Sequence, residues 1–128
     1  MKITLIIGLP GSGKTFLAKK LGQEDGTIVI DDIVGIEQLP DNAQNLIITD
    51  VNFCDETILH RALHKLYQKY RNPDIRCIYF ENNPEKCRRN VLYRNDGRNV
   101  EGTIERFTKV YHPDPRLDTV IPIWQPEE

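Results

Sequence analysis

Short apolar runs at residues 2–7, 27–30, 46–49, 75–80 and 119–124 punctuate the chain, and the segments between them follow a different rhythm. The first run, rich in Ile and Leu, predicts a strand buried on both faces. The other four also read as strands. Residues 14–21 place Leu17, Ala18 and Leu21 on one side of a helix, with Gly22 and Gly26 at its exit. The longest helix is predicted over 56–71, where Leu59, Ala62, Leu63, Leu66, Tyr67 and Tyr70 recur at helical spacing. Asp55 is its N-cap and Asn72-Pro73 its end. Asn83-Pro84 opens a further helix reaching about Arg94, as N-cap followed by proline at the first helical position. Gly97 breaks that helix, and Val100, Ile104, Phe107 and Tyr111 mark another. Residues 35–45 are polar and carry Pro40, so a loop with one helical turn at most is expected there.

Strands alternating with helices define an α/β chain with an open, mostly parallel sheet of about five strands flanked by helices in three layers. The weak pattern between the second and third strands makes it a trimmed version. At 128 residues the chain has the length of a single domain, 1–128. The net charge of −2 argues against non-specific nucleic-acid binding over the whole surface, although a local basic strip remains compatible with it. Three cysteines, Cys54, Cys77 and Cys87, form no CxxC pair and read as free thiols in a reducing compartment. No apolar run reaches membrane-spanning length and no secretory leader is visible, so a cytoplasmic protein with no membrane partner is expected.

The chemistry begins at Gly8-Leu9-Pro10-Gly11-Ser12-Gly13-Lys14-Thr15, which matches GxxxxGK[ST] in full. The glycines let the backbone curl so that successive N–H groups point at phosphate oxygens, and the following helix dipole adds to that field. Gly8, Pro10, Gly11, Ser12 and Gly13 thus form the cradle of a P-loop NTPase fold. Lys14 reaches the β- and γ-phosphates, and Thr15 ligates magnesium. ATP or another nucleoside triphosphate with Mg2+ is the expected ligand.

Ligands of an open parallel sheet sit beyond the carboxyl ends of its strands. Asp31-Asp32, Asp50 and Glu81 stand at such ends. One carboxylate can accept the proton of an attacking hydroxyl while another organises magnesium. The plainer reading of each is a turn cap or a solvated charge, and the neighbours Asn82-Asn83-Pro84 favour it for Glu81. Between about 85 and 99 lies an arginine-bearing segment suited to a lid, since arginine's fork binds two phosphoryl oxygens. Arg94 leaves its helix on the apolar side, Arg89 points nearly opposite, and Gly97 gives Arg98 a mobile position. His60 and His64 lack a third ligand and read as a solvated helix face. Trp124 and Tyr111 are able to stack on a base, but core packing is the plainer reading of both.

Taken together these segments resemble P-loop kinases of the polynucleotide kinase type, in particular the kinase domain of phage polynucleotide kinases. The resemblance rests on residues 5–15, the 28–32 strand with its terminal acids, and Ile47-Ile48-Thr49-Asp50-Val51-Asn52. It continues through Asn83-Pro84-Glu85-Lys86-Cys87-Arg88-Arg89-Asn90 and the helix at 100–111. It implies transfer of the ATP γ-phosphate to a hydroxyl, with a single-stranded nucleic-acid 5′ end as the acceptor partner. The family's general base falls on Asp32 or Asp31. Its acidic residue near acceptor or metal falls on Asp50, with Asn52 beside it. Its lid arginines fall among Arg89, Arg94 and Arg98. Two departures bear on the acceptor: the arginine usual three residues after the base is Val34 or Gly35 here, and the segment between the second and third strands is short. A small-molecule kinase acting on a nucleotide, nucleoside or sugar, and a regulatory nucleotide-binding module with little transferase activity, are the alternative readings.

Overall fold

The structure, a computed structural model, describes residues 1–33, 35–94, 97 and 99–125. Strand β1 (Lys2–Ile7) leads through the glycine loop into α1 (Lys14–Leu21), and β2 (Thr27–Asp31) follows. A 3-10 turn at Ile36–Gln38 is the only regular structure described between β2 and β3 (Asn45–Thr49). A second 3-10 turn, Val51–Cys54, then precedes α2 (Glu56–Lys69), β4 (Asp74–Phe80), α3 (Pro84–Arg94), α4 (Glu101–Thr108) and β5 (Thr119–Ile121). The five strands pair in the order β2-β3-β1-β4-β5, all parallel. The fold is therefore α/β, a five-stranded parallel sheet flanked by helices, trimmed between β2 and β3 as the polar composition of 35–45 predicts.

Because β1 lies between β3 and β4, it has no solvent edge, and Ile3, Leu5, Ile6 and Ile7 are completely buried. Each such side chain contributes about 1.5–3 kcal/mol relative to exposure. Connections β1–α1–β2 and β3–α2–β4 run in opposite directions along the sheet. Right-handed crossover then puts α1 and α2 on opposite faces. Strand register fixes which side chains meet α1. Residues paired in a parallel ladder share a face, so Thr4, Ile47 and Val29 form one row. A Cβ on Gly22, at the end of α1, would stand 2.4 Å from Val29, which identifies that row as the α1 face.

Caps form as the sequence predicts. The Thr57 N–H donates to Asp55 Oδ1 at 2.9 Å, and the Lys86 N–H to Asn83 Oδ1 at 3.1 Å. Tyr111 is core, its hydroxyl donating to the Ile7 carbonyl at 3.2 Å and to the Phe80 carbonyl, with burial pushing its phenol pKa up. One boundary differs. The last strand, expected over 119–124, ends at Ile121 because Pro122 has no N–H to give a ladder. The chain instead turns over the glycine loop: the Ile123 N–H donates to Glu81 Oε1 at 3.3 Å and the Trp124 N–H to the Ser12 carbonyl at 3.1 Å.

Candidate active site

The glycine loop closes on itself through the Ser12 N–H, which donates to the Leu9 carbonyl at 3.1 Å. Gly11 and Gly13 have φ of +85° and +108°, conformations that side chains rarely adopt. Their surroundings are equally restrictive. A Cβ on Gly11 would lie 2.4 Å from the Cys87 carbonyl of α3, and one on Gly13 would lie 2.6 Å from Trp124 Cβ. The loop is thus held between α3 and the chain leaving β5. Asn90 completes that hold: its Nδ2 donates to the Gly11 carbonyl at 2.8 Å and to the Trp124 carbonyl at 2.6 Å. Asn90 is an addition to the residues marked from sequence. Its signal there was an amide on the face of α3 that also carries Cys87, where an unpaired polar group would be costly.

Lys14 folds back into the loop, its Nζ donating to the carbonyls of Gly8 at 2.8 Å and Leu9 at 3.1 Å. Burial pulls its pKa below the ordinary lysine value, and the nearby Asp32 and Asp31 oppose that shift. Beneath the loop, burial pushes the Cys54 thiol up to about 12 and the Cys87 thiol up to about 11, so both stay protonated near neutral pH.

The register that pairs Asp31 with Thr49 brings three polar side chains together. Asp31 lies two residues after Val29, on the face that packs against α1. The Thr49 hydroxyl donates to Asp31 Oδ1, and the Thr15 hydroxyl, from the first turn of α1, donates to Asp31 Oδ2 at 3.3 Å. Asp32 would ordinarily point to the opposite face. Its φ of +57° is left-handed, a region that aspartate tolerates better than most residues, and both aspartates line the same cavity. That cavity, about 510 Å³, is also bordered by Lys14, Thr15, Lys19, Arg94 and Trp124.

Asp50 is placed differently. Strand alternation sends it away from the α1 face, and it is buried outside the cavity lining. Its Oδ1 accepts from the backbone and side-chain nitrogens of Asn52, both at 2.9 Å, and so caps the Val51–Cys54 turn. Burial pushes the Asp50 carboxyl above the usual carboxylate range, although the Asn52 hydrogen bonds oppose this. Glu81 serves the turn after β4, accepting from Lys86 and Ile123. Of the arginines, Arg94 lines the cavity, Arg89 is exposed and outside it, and Arg98 lies outside the described residues, as does Val34. Arg88 ties α3 to α4 through Glu101 at 2.6 Å. His60 and His64 are exposed on α2. Trp124, read as core from sequence, borders the cavity instead, because Pro122 ends β5 before reaching it.

The residues present fit a magnesium-bound triphosphate. The loop is curled, with Lys14 Nζ folded into it and no side chain of its own at Gly11 or Gly13, and Ser12 Oγ is a buried hydroxyl without a partner among the described residues. A hydroxyl and a carboxylate, Thr15 and Asp31, meet where a hard cation takes oxygen ligands.

The five-stranded parallel sheet with its glycine loop is a fold shared with solved structures of P-loop kinases. A gluconokinase from Sinorhizobium meliloti 1021 superposes with a TM-score of 0.66 at 10% identity, over 98% of this chain and 84% of that one. A fungal RNA kinase gives 0.62 at 17% identity, over 99% of this chain and 75% of that one. No family model matches the sequence. The chain belongs to one family with "Uncharacterized protein R277" of Acanthamoeba polyphaga mimivirus, to which it is 35% identical over 118 residues, 86% of each chain.

Proposed function

We propose that this protein is a magnesium- and ATP-dependent phosphotransferase that moves the γ-phosphate to a hydroxyl, with a polynucleotide 5′-hydroxyl as the favoured acceptor. The observation that carries the reading is the meeting of Lys14, Thr15, Asp31 and Asp32 in one cavity beside the glycine loop. Loop N–H groups and Lys14 bind the phosphates, Lys14 exchanging the Gly8 and Leu9 carbonyls for anionic oxygens. Thr15 would hold magnesium, with Asp31 behind it, and the ion would supply positive charge to the phosphate chain.

Asp32 accepts the proton of the acceptor hydroxyl, whose oxygen bonds to the γ-phosphorus as the bond to the β-phosphate oxygen breaks and the nucleoside diphosphate leaves. Arg94, with Arg98 as its companion in the lid, steadies the spreading negative charge. Arg89 takes a peripheral part in that lid. Asp50, with Asn52, supports the acceptor side, since the charges of Asp32 and Lys14 both reach its carboxyl. The likeness to an RNA kinase supports the polynucleotide acceptor, and the likeness to a gluconokinase keeps a small-molecule acceptor (nucleotide, nucleoside or sugar) as the second reading.

The test is transfer of labelled γ-phosphate from ATP to 5′-hydroxyl DNA and RNA oligonucleotides, nucleosides, nucleoside monophosphates, gluconate and water. Label on oligonucleotides, lost in Lys14→Ala and Asp32→Ala, is the expected result. Label on a small acceptor keeps the mechanism and replaces the substrate. Tight ATP binding with no acceptor labelled favours a regulatory module.

A further inference from the structure

Phe16 and Trp124 are not needed by the chemistry above, yet both border the same cavity as Lys14. Phe16 is 55% exposed although it follows directly on the phosphate loop. Its ring lies 5.5 Å from that of Trp124, tilted by 35°, an aromatic pair open to the cavity. Trp124 is also fixed to the loop itself, through its N–H to Ser12, its carbonyl to Asn90 and its contact face with Gly13.

Direction follows from charge. Thr15 and the two aspartates lie together at the ends of β2 and β3, so the reacting end of a triphosphate and its magnesium belong there. The nucleoside then leaves the loop on its other flank, where the aromatic pair stands. Resting on the reading of the loop as a nucleoside triphosphate site, we propose that the donor's nucleobase stacks on the Phe16–Trp124 pair. Every base has a π-face, so the platform accepts adenine, guanine, cytosine and uracil alike.

Trp124 is the single tryptophan of the chain, so its fluorescence reports occupancy directly. The experiment titrates the full-length protein with the magnesium complexes of ATP, GTP, CTP, UTP and inorganic tripolyphosphate, by fluorescence and calorimetry. It then repeats the calorimetry on Trp124→Ala and Phe16→Ala. Expected are quenching by all four nucleotides, affinities within a few-fold of one another, and a loss of about tenfold or more for nucleotides in both variants. Tripolyphosphate affinity stays unchanged. Phe16 is exposed, so its variant folds and keeps the test open should Trp124→Ala unfold. Unchanged nucleotide affinity in Phe16→Ala, an equal loss for tripolyphosphate, or a preference above about tenfold for one base overturns the proposal. Failure of both ATP and tripolyphosphate to bind the unmodified protein overturns the triphosphate site itself, and the platform with it.

Discussion

The two flanks of the glycine loop are built to different standards. On the flank of α3 and β5 the loop is tied to remote parts of the chain: Asn90 joins Gly11 to Trp124, Cys87 closes on Gly11, and Trp124 closes on Gly13. On the flank of β2 the sheet ends in an edge strand whose Ile28 and Val29 remain 41% and 38% exposed, followed among the described residues by a single 3-10 turn before β3. Polar side chains there, Thr15, Asp31 and Thr49, bond mainly to one another. Tight burial suits the proposed recognition of a phosphate chain common to every donor. On the proposed reading, a thin, exposed flank leaves room for the acceptor and little of the protein to specify it.

Substitutions on the two flanks sharpen this contrast. The largest effect is expected from Lys14→Ala, which removes a cation from the phosphates and lowers turnover by at least about 10²-fold. Transfer assays check the loss. Next comes the tied flank. Gly13→Ala forces a Cβ into Trp124 at φ +108° and costs about 1–3 kcal/mol, read by urea unfolding. Asn90→Leu leaves the Gly11 and Trp124 carbonyls without their donor and costs a similar amount. If either is neutral, the loop is not held as described.

Asp50→Asn is a smaller and pH-dependent case. Because burial raises the folded-state pKa of Asp50, the folded protein binds more protons than the unfolded chain between the ordinary carboxylate value and that raised one. The charged form therefore carries its full cost at neutral pH, and acidification through that window relieves it. Asp50→Asn is expected to melt higher than the parent at pH 7, with the difference vanishing below about pH 3.8. The smallest effect belongs to the open flank, where Ile28→Thr changes stability by no more than about 0.5 kcal/mol.

This division also decided what could be read from sequence. The loop is a local motif, and β1, α1 and the caps at Asp55 and Asn83 depend on neighbours in the chain, so they were legible. The grouping of Asp31 with Thr15 and Thr49 depends on strand register, which the apolar pattern of β2 and β3 does not fix. Asp50 and Asp31 look equivalent as strand-end acids, yet alternation puts one beneath a turn and the other beside α1. Trp124 was misread because its run of Ile and Val continues through Pro122, where the ladder cannot.

The most direct test of the central claim measures ATP affinity and acceptor phosphorylation together in Asp32→Ala. Turnover is expected to fall by about 10²–10⁴-fold while ATP affinity stays as in the parent protein. Turnover that survives the substitution, or falls only in step with ATP affinity, would contradict that claim.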